Sequence, residues 1–174
     1  LLVLSRNVDL AKPPASPLYH AYHLSFTMES LIQLLTETFT KPSDGVYAYS
    51  DEGASLVDSL NTLTAEQAST PIVAGGTTVA AHAYHVVFFL DVVLARIGGN
   101  LNDVDWSDAW AVQRVSEDQW VDLRNRVLDA CERATSCLQG MHNSEAINER
   151  RAIAVVVHTA YHLGAIRQML TVLR

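Results

Sequence analysis

The sequence predicts an all-α protein: a four-helix bundle with an irregular or short-helical insertion after its first helix, in a single domain over residues 1–174. Three observations carry this. Apolar residues recur at helical period in four long segments. Helix starts and stops are written in capping residues, with Ser or Thr at the openings and glycine at the ends. Sustained strand-like alternation is missing, and the nearest run, Val46-Tyr47-Ala48-Tyr49, is too short to build a sheet.

The first long segment runs from Pro17 to Thr40, with Tyr22, Phe26, Leu31, Ile32, Leu35 and Phe39 near helical spacing. Lys41-Pro42-Ser43-Asp44-Gly45 breaks it. A mixed stretch follows to Pro71. Within it, Asp51 to Leu63 has the pattern of a helix, and Thr64-Ala65-Glu66-Gln67 reads as a capping box for a single turn. Gly75-Gly76-Thr77-Thr78 forms a loop and N-cap for the second long helix, which ends at Gly98-Gly99-Asn100. That helix is apolar almost all round, the mark of the most buried member of a bundle. A loop carrying Trp106 and Trp110 comes next.

Ser116-Glu117-Asp118-Gln119 is a second capping box, with acids in the first turn where the helix dipole favours them. Behind it, Trp120, Leu123, Val127, Ala130, Cys131, Ala134 and Leu138 trace one apolar stripe, closed by Gln139-Gly140. Asn143-Ser144-Glu145 opens the last helix, which continues to about Leu173.

The composition narrows the function classes. Apolar residues at 49% and charged residues at 18% suit a water-facing globular chain with a real core. A net charge of -7 argues against nucleic acid and against an anionic membrane surface as partners, since both demand a basic face. The longest apolar candidate for a membrane span, Val79 to Ile97, is interrupted by His82, His85, Asp91 and Arg96. The opening residues lack a basic stretch and a long apolar run, so the expectation is a cytoplasmic protein. Cys131 and Cys137, if on one helix, are about 9 Å apart along its axis, too far for a disulfide. They read as core residues.

The histidines carry the functional signal. Six of the seven form three close pairs, His20/His23, His82/His85 and His158/His162, each on a different long helix. A bundle builds metal sites from inward side chains on facing helices. Residues four apart on a helix differ by about 40° in direction. Both His158 and His162 can therefore reach one ion, and the His82/His85 pair offers a third imidazole. Three histidines with an open position make a catalytic zinc site, and imidazole also suits nickel and iron. Buried histidines that merely bond a carbonyl remain the plain alternative. Thr159 stands where a zinc peptidase has its general-base Glu, which removes that reaction class. His20, His23 and His142 support no assignment.

Two motifs resemble the DinB/YfiT-like metal-binding four-helix bundles. One is Thr78-Val79-Ala80-Ala81-His82-Ala83-Tyr84-His85, similar to that family's Ser/Thr-led helix start ending in a ligand histidine. The other is His158-Thr159-Ala160-Tyr161-His162-Leu163-Gly164-Ala165-Ile166-Arg167-Gln168, similar to its C-terminal H-x-x-x-H-x-G-x-I signature. Helix order agrees over about residues 18–173, with 41–72 the stretch that fits least. The resemblance implies a divalent-metal site on His85, His158 and His162, holding zinc, nickel or iron. His82, about 60° round the helix from His85, becomes an outer-shell group or alternative ligand. Tyr84, Arg167 and Gln168 become candidate pocket residues. Tyr84 and Tyr161 also suit plain packing, and Gly164 suits close helix approach. The activity implied is a thiol S-transferase or hydrolase, with a small-molecule substrate, a low-molecular-weight thiol as cosubstrate, and a homodimer as the assembly. The alternative is a non-catalytic bundle acting as a binding or stress-response module.

Overall fold

A computed structural model describes residues 27–141 and 145–173. His20, His23 and His142, and the Pro17–Phe26 part of the expected first helix, lie outside them. Among the described residues the fold is helical throughout. The long helices are α1 (Met28–Phe39), α4 (Val79–Ile97), α5 (Glu117–Gln139) and α6 (Ala146–Leu173). Two short helices, α2 (Leu56–Asn61) and α3 (Ala65–Ala68), occupy the insertion after α1.

The strongest packing runs α4 on α5, α4 on α6, α1 on α5 and α1 on α6. The bundle thus has the cyclic order α1–α5–α4–α6, with α1 and α4 on opposite corners. The core follows from the sequence stripes. On α5 the buried residues are Trp120, Leu123, Val127, Ala130, Cys131, Ala134 and Leu138, the same set the helical period selects. On α4, burial spreads over ten residues, as its all-round apolar character requires. This helix has the length and composition of a membrane span, but more than half of it is buried against its neighbours, which accounts for its apolarity as a core helix.

The caps act as read. Thr78 opens α4 by accepting from the Ala81 amide, and both the Thr64 and Ser116 capping boxes are closed from each side. The expected 51–63 helix is shorter than its pattern. Gly53 takes the left-handed conformation (φ 73°), breaking the chain before Ser55, whose hydroxyl caps α2 by accepting from the Asp58 amide. The loop with Trp106 and Trp110 contains a 3-10 helix at Trp106–Trp110, seated on α4.

One buried charge shapes the insertion. Glu37 of α1 is 2% exposed. Its carboxylate accepts from the backbone amides of Ala48, Tyr49 and Ser50 and from the Ser50 hydroxyl. Burial alone pushes this carboxyl up. The four donors outweigh burial and hold it below its ordinary value. The stretch that came nearest to β alternation is therefore a bent segment whose amides are fastened to a carboxylate, with no strand among the described residues.

Candidate metal centre

α4 brings His82 and His85, and α6 brings His158 and His162, to the seam where these two helices pack. The His85 and His158 Nε2 atoms lie 3.2 Å apart, and the His162 and His158 Nε2 atoms 3.3 Å apart. One ring nitrogen from each of the three lies within 4.8 Å of the others, and the cluster consists of histidine alone. Nitrogens bound at about 2.0–2.1 Å in a tetrahedral set are themselves about 3.3 Å apart. The two measured separations match that edge.

The hydrogen bonds prepare the rings for a cation. His85 Nδ1 faces the Ala109 carbonyl at 3.2 Å. A carbonyl only accepts, so this nitrogen carries the proton, and a neutral His85 presents a bare Nε2. Bare lone pairs this close repel unless a proton or a cation sits between them. Burial is the first cause that lowers all three basicities, and histidine neighbours add to it at His158 and His162. His85 falls below its ordinary value, His158 to about 4 and His162 to about 3. At neutral pH the cluster is uncharged and each ring has one nitrogen lone pair to offer, the charge state a metal ligand needs.

This gives a pH dependence for the metal-free protein. Unfolded histidines take up protons below about pH 6.5, whereas folded His158 resists until about pH 4 and His162 until about pH 3. The unfolded state therefore binds more protons in that window. Unfolding free energy is expected to fall steadily from pH 6.5 to 4, as denaturant titrations across the range would read. A flat profile there would contradict the neutral cluster.

Aromatic rings wall the site. Phe89, one turn after His85 on α4, stacks on His158 with centroids 3.6 Å apart and planes 9° apart. Trp110 stacks on His85 at 4.1 Å and 21°, and meets His82 edge-on at 5.4 Å. The Trp106–Trp110 3-10 helix thus grips His85 twice, through the Ala109 carbonyl and the Trp110 ring. Neither contact has a helical period, and the sequence reading missed both. Phe89 had a usable signal, because a residue four after a candidate ligand shares its face.

His82 lies beside the cluster. Its Nδ1 is 2.9 Å from His162 Nδ1 and its Nε2 is 3.0 Å from the Thr77 hydroxyl. The other candidate residues are placed elsewhere. Tyr84 is half-buried against Phe88 and under the Arg126 guanidinium. Arg167 lines a groove with Glu52, Gly53, Ser59, Leu170 and Thr171 that contains none of the histidines, and Gln168 is exposed. Tyr161 does not pack into the bundle. It is 71% exposed, with its ring edge-on to His162. Gly164 is exposed, and a Cβ there would meet nothing within 4 Å, so close helix approach does not explain it. Thr159 turns its hydroxyl onto its own helix and donates to the Val155 carbonyl.

Comparison with known proteins gives one family. The model of the DinB superfamily matches residues 48–166, which takes in α2 through most of α6, the three clustered histidines and His82. The match extends into the 41–72 stretch that fitted the resemblance least, and stops short of α1. No curated protein and no solved structure matches the chain.

Proposed function

The chain belongs to the DinB superfamily, and from its histidine cluster we propose that it is a divalent-metal-dependent enzyme of the thiol S-transferase or hydrolase type, acting on a small molecule. The observation that carries the reading is that His158 Nε2 stands at tetrahedral-edge spacing from the Nε2 atoms of both His85 and His162, with one ring nitrogen from each of the three within 4.8 Å of the others. A zinc, nickel or iron ion held by these three nitrogens would lower the pKa of the water or low-molecular-weight thiol it binds, generating a nucleophile near neutral pH.

The chain's own residues prepare that site. The Ala109 carbonyl holds the proton of His85 on Nδ1 and so aims its Nε2 inward. Phe89 and Trp110 cover the flanks of His158 and His85, keeping water off the rings and the rings neutral. Neither cysteine is a convincing nucleophile. Cys131 is buried in the core, and burial pushes its thiol up to about 11, so it remains protonated at pH 7. Cys137 is half-buried, and burial pushes its thiol up as well. The attacking group therefore comes from solvent or from a cosubstrate.

The test is a pair of assays on zinc-loaded protein: transfer of a small thiol to an aryl halide, and hydrolysis of a small ester. One of these rates is expected to vanish on chelation, return with zinc, and be absent in His158→Ala. Stoichiometric zinc with neither reaction would overturn the enzyme reading in favour of a non-catalytic metal-holding bundle.

A further inference from the structure

We propose that His82 is the positioning residue of this centre, accepting a hydrogen bond from the Nδ1–H of His162 and donating its own Nε2–H to the Thr77 hydroxyl, so that His162 Nε2 is held bare toward the cluster. The proposal rests on the reading of His85, His158 and His162 as metal ligands.

The geometry leaves few arrangements. His82 and His162 face each other through Nδ1 at 2.9 Å, and both rings are buried (9% and 2% exposed). A neutral imidazole has one N–H, so one of the two donates and the other accepts. If His82 donates, His162 must carry its proton on Nε2, in the middle of the cluster and 3.3 Å from His158 Nε2. That nitrogen could not then ligate. If His162 donates, its Nε2 is bare, and His82 must hold its proton on Nε2. The Thr77 hydroxyl stands 3.0 Å from that atom, ready to accept. A cation in the cluster selects the second arrangement.

The same geometry keeps His82 from being a fourth ligand, because both of its ring nitrogens are engaged. Trp110, edge-on at 5.4 Å and 89°, fixes the ring plane. Support for the three inner histidines is therefore unequal. His85 has the Ala109 carbonyl, His162 has the His82–Thr77 pair, and His158 Nδ1 is buried without a hydrogen-bond partner. Thr77 lies next to Thr78, the N-cap of α4, so the support chain ends where that helix is anchored.

The test is a zinc competition titration against a chromophoric chelator, on the intact chain. Loss of a partner behind a ligating histidine weakens metal binding by about 10–100-fold, and His82→Leu is expected in that range. His82→Gln, whose side-chain carbonyl can accept the His162 proton, should recover most of the loss. Thr77→Val, at an exposed position where folding is not at stake, should show a smaller loss in the same direction. Nitrogen-15 correlation spectra of the zinc-loaded wild type should place the His162 proton on Nδ1 and the His82 proton on Nε2. Wild-type affinity in His82→Leu, no recovery in His82→Gln, or a His82 proton on Nδ1 would overturn the proposal while leaving the metal site standing. A wild-type chain that takes up no zinc would overturn both.

Discussion

Replacing His162 by alanine is expected to weaken zinc binding by more than the roughly 100-fold that loss of an outer-shell partner costs, because the substitution removes a ligand itself. His162 sits at the centre of the cluster, in contact with His158 on its own helix and with His82 and His85 on α4. Its removal leaves two inner imidazoles, one of which, His158, has no partner behind it. The readout is thermal unfolding with and without zinc, each protein compared with itself, so that the cavity left by the substitution cancels. Zinc at 100 times its dissociation constant stabilises a protein by about 2.7 kcal/mol. The wild type should show that gain and His162→Ala almost none. Equal stabilisation of the two would mean that zinc binds elsewhere.

The second large effect is on stability. Trp120 is 1% exposed at the head of the α5 stripe, and its indole Nε1 donates to the Leu63 carbonyl at 3.0 Å. It ties α5 to the link between α2 and α3. Trp120→Ala is expected to cost about 3–5 kcal/mol, through lost burial and the cavity left behind. In a chain of this size that lowers the unfolding midpoint of the metal-free protein by about 6–20 °C. Val121→Ala, on the exposed face next to it, serves as the control and should stay within about 0.5 kcal/mol. Similar losses for both would contradict the assignment of this stripe to the core.

The fold was legible where a period or a cap writes it. The α5 stripe named its buried residues in full, and the Thr78 and Ser116 caps set the starts of α4 and α5. The pairing of His158 with His162 followed from the same arithmetic, since four residues bring side chains back to one face. What stayed hidden comes from the path of the chain between elements. The grip of Ala109 and Trp110 on His85 belongs to a connecting segment with no repeating pattern. So does the fastening of residues 48–50 to Glu37, an acid on the polar side of α1 that the connecting segment covers. Local chemistry also overrode pattern: Gly53 cut the expected 51–63 helix down to α2. Gly164 and Tyr161 sat within the motif that carried the resemblance, yet face solvent, because their positions point away from the side of α6 that bears His158 and His162.

The central claim is that one divalent ion binds at the junction of α4 and α6. Anomalous scattering at the zinc absorption edge, from crystals grown with zinc, tests it most directly. The account expects one strong peak about 2.0–2.1 Å from the Nε2 atoms of His85, His158 and His162, with His82 outside that distance. No peak at the cluster, or zinc found only on other side chains, would contradict it.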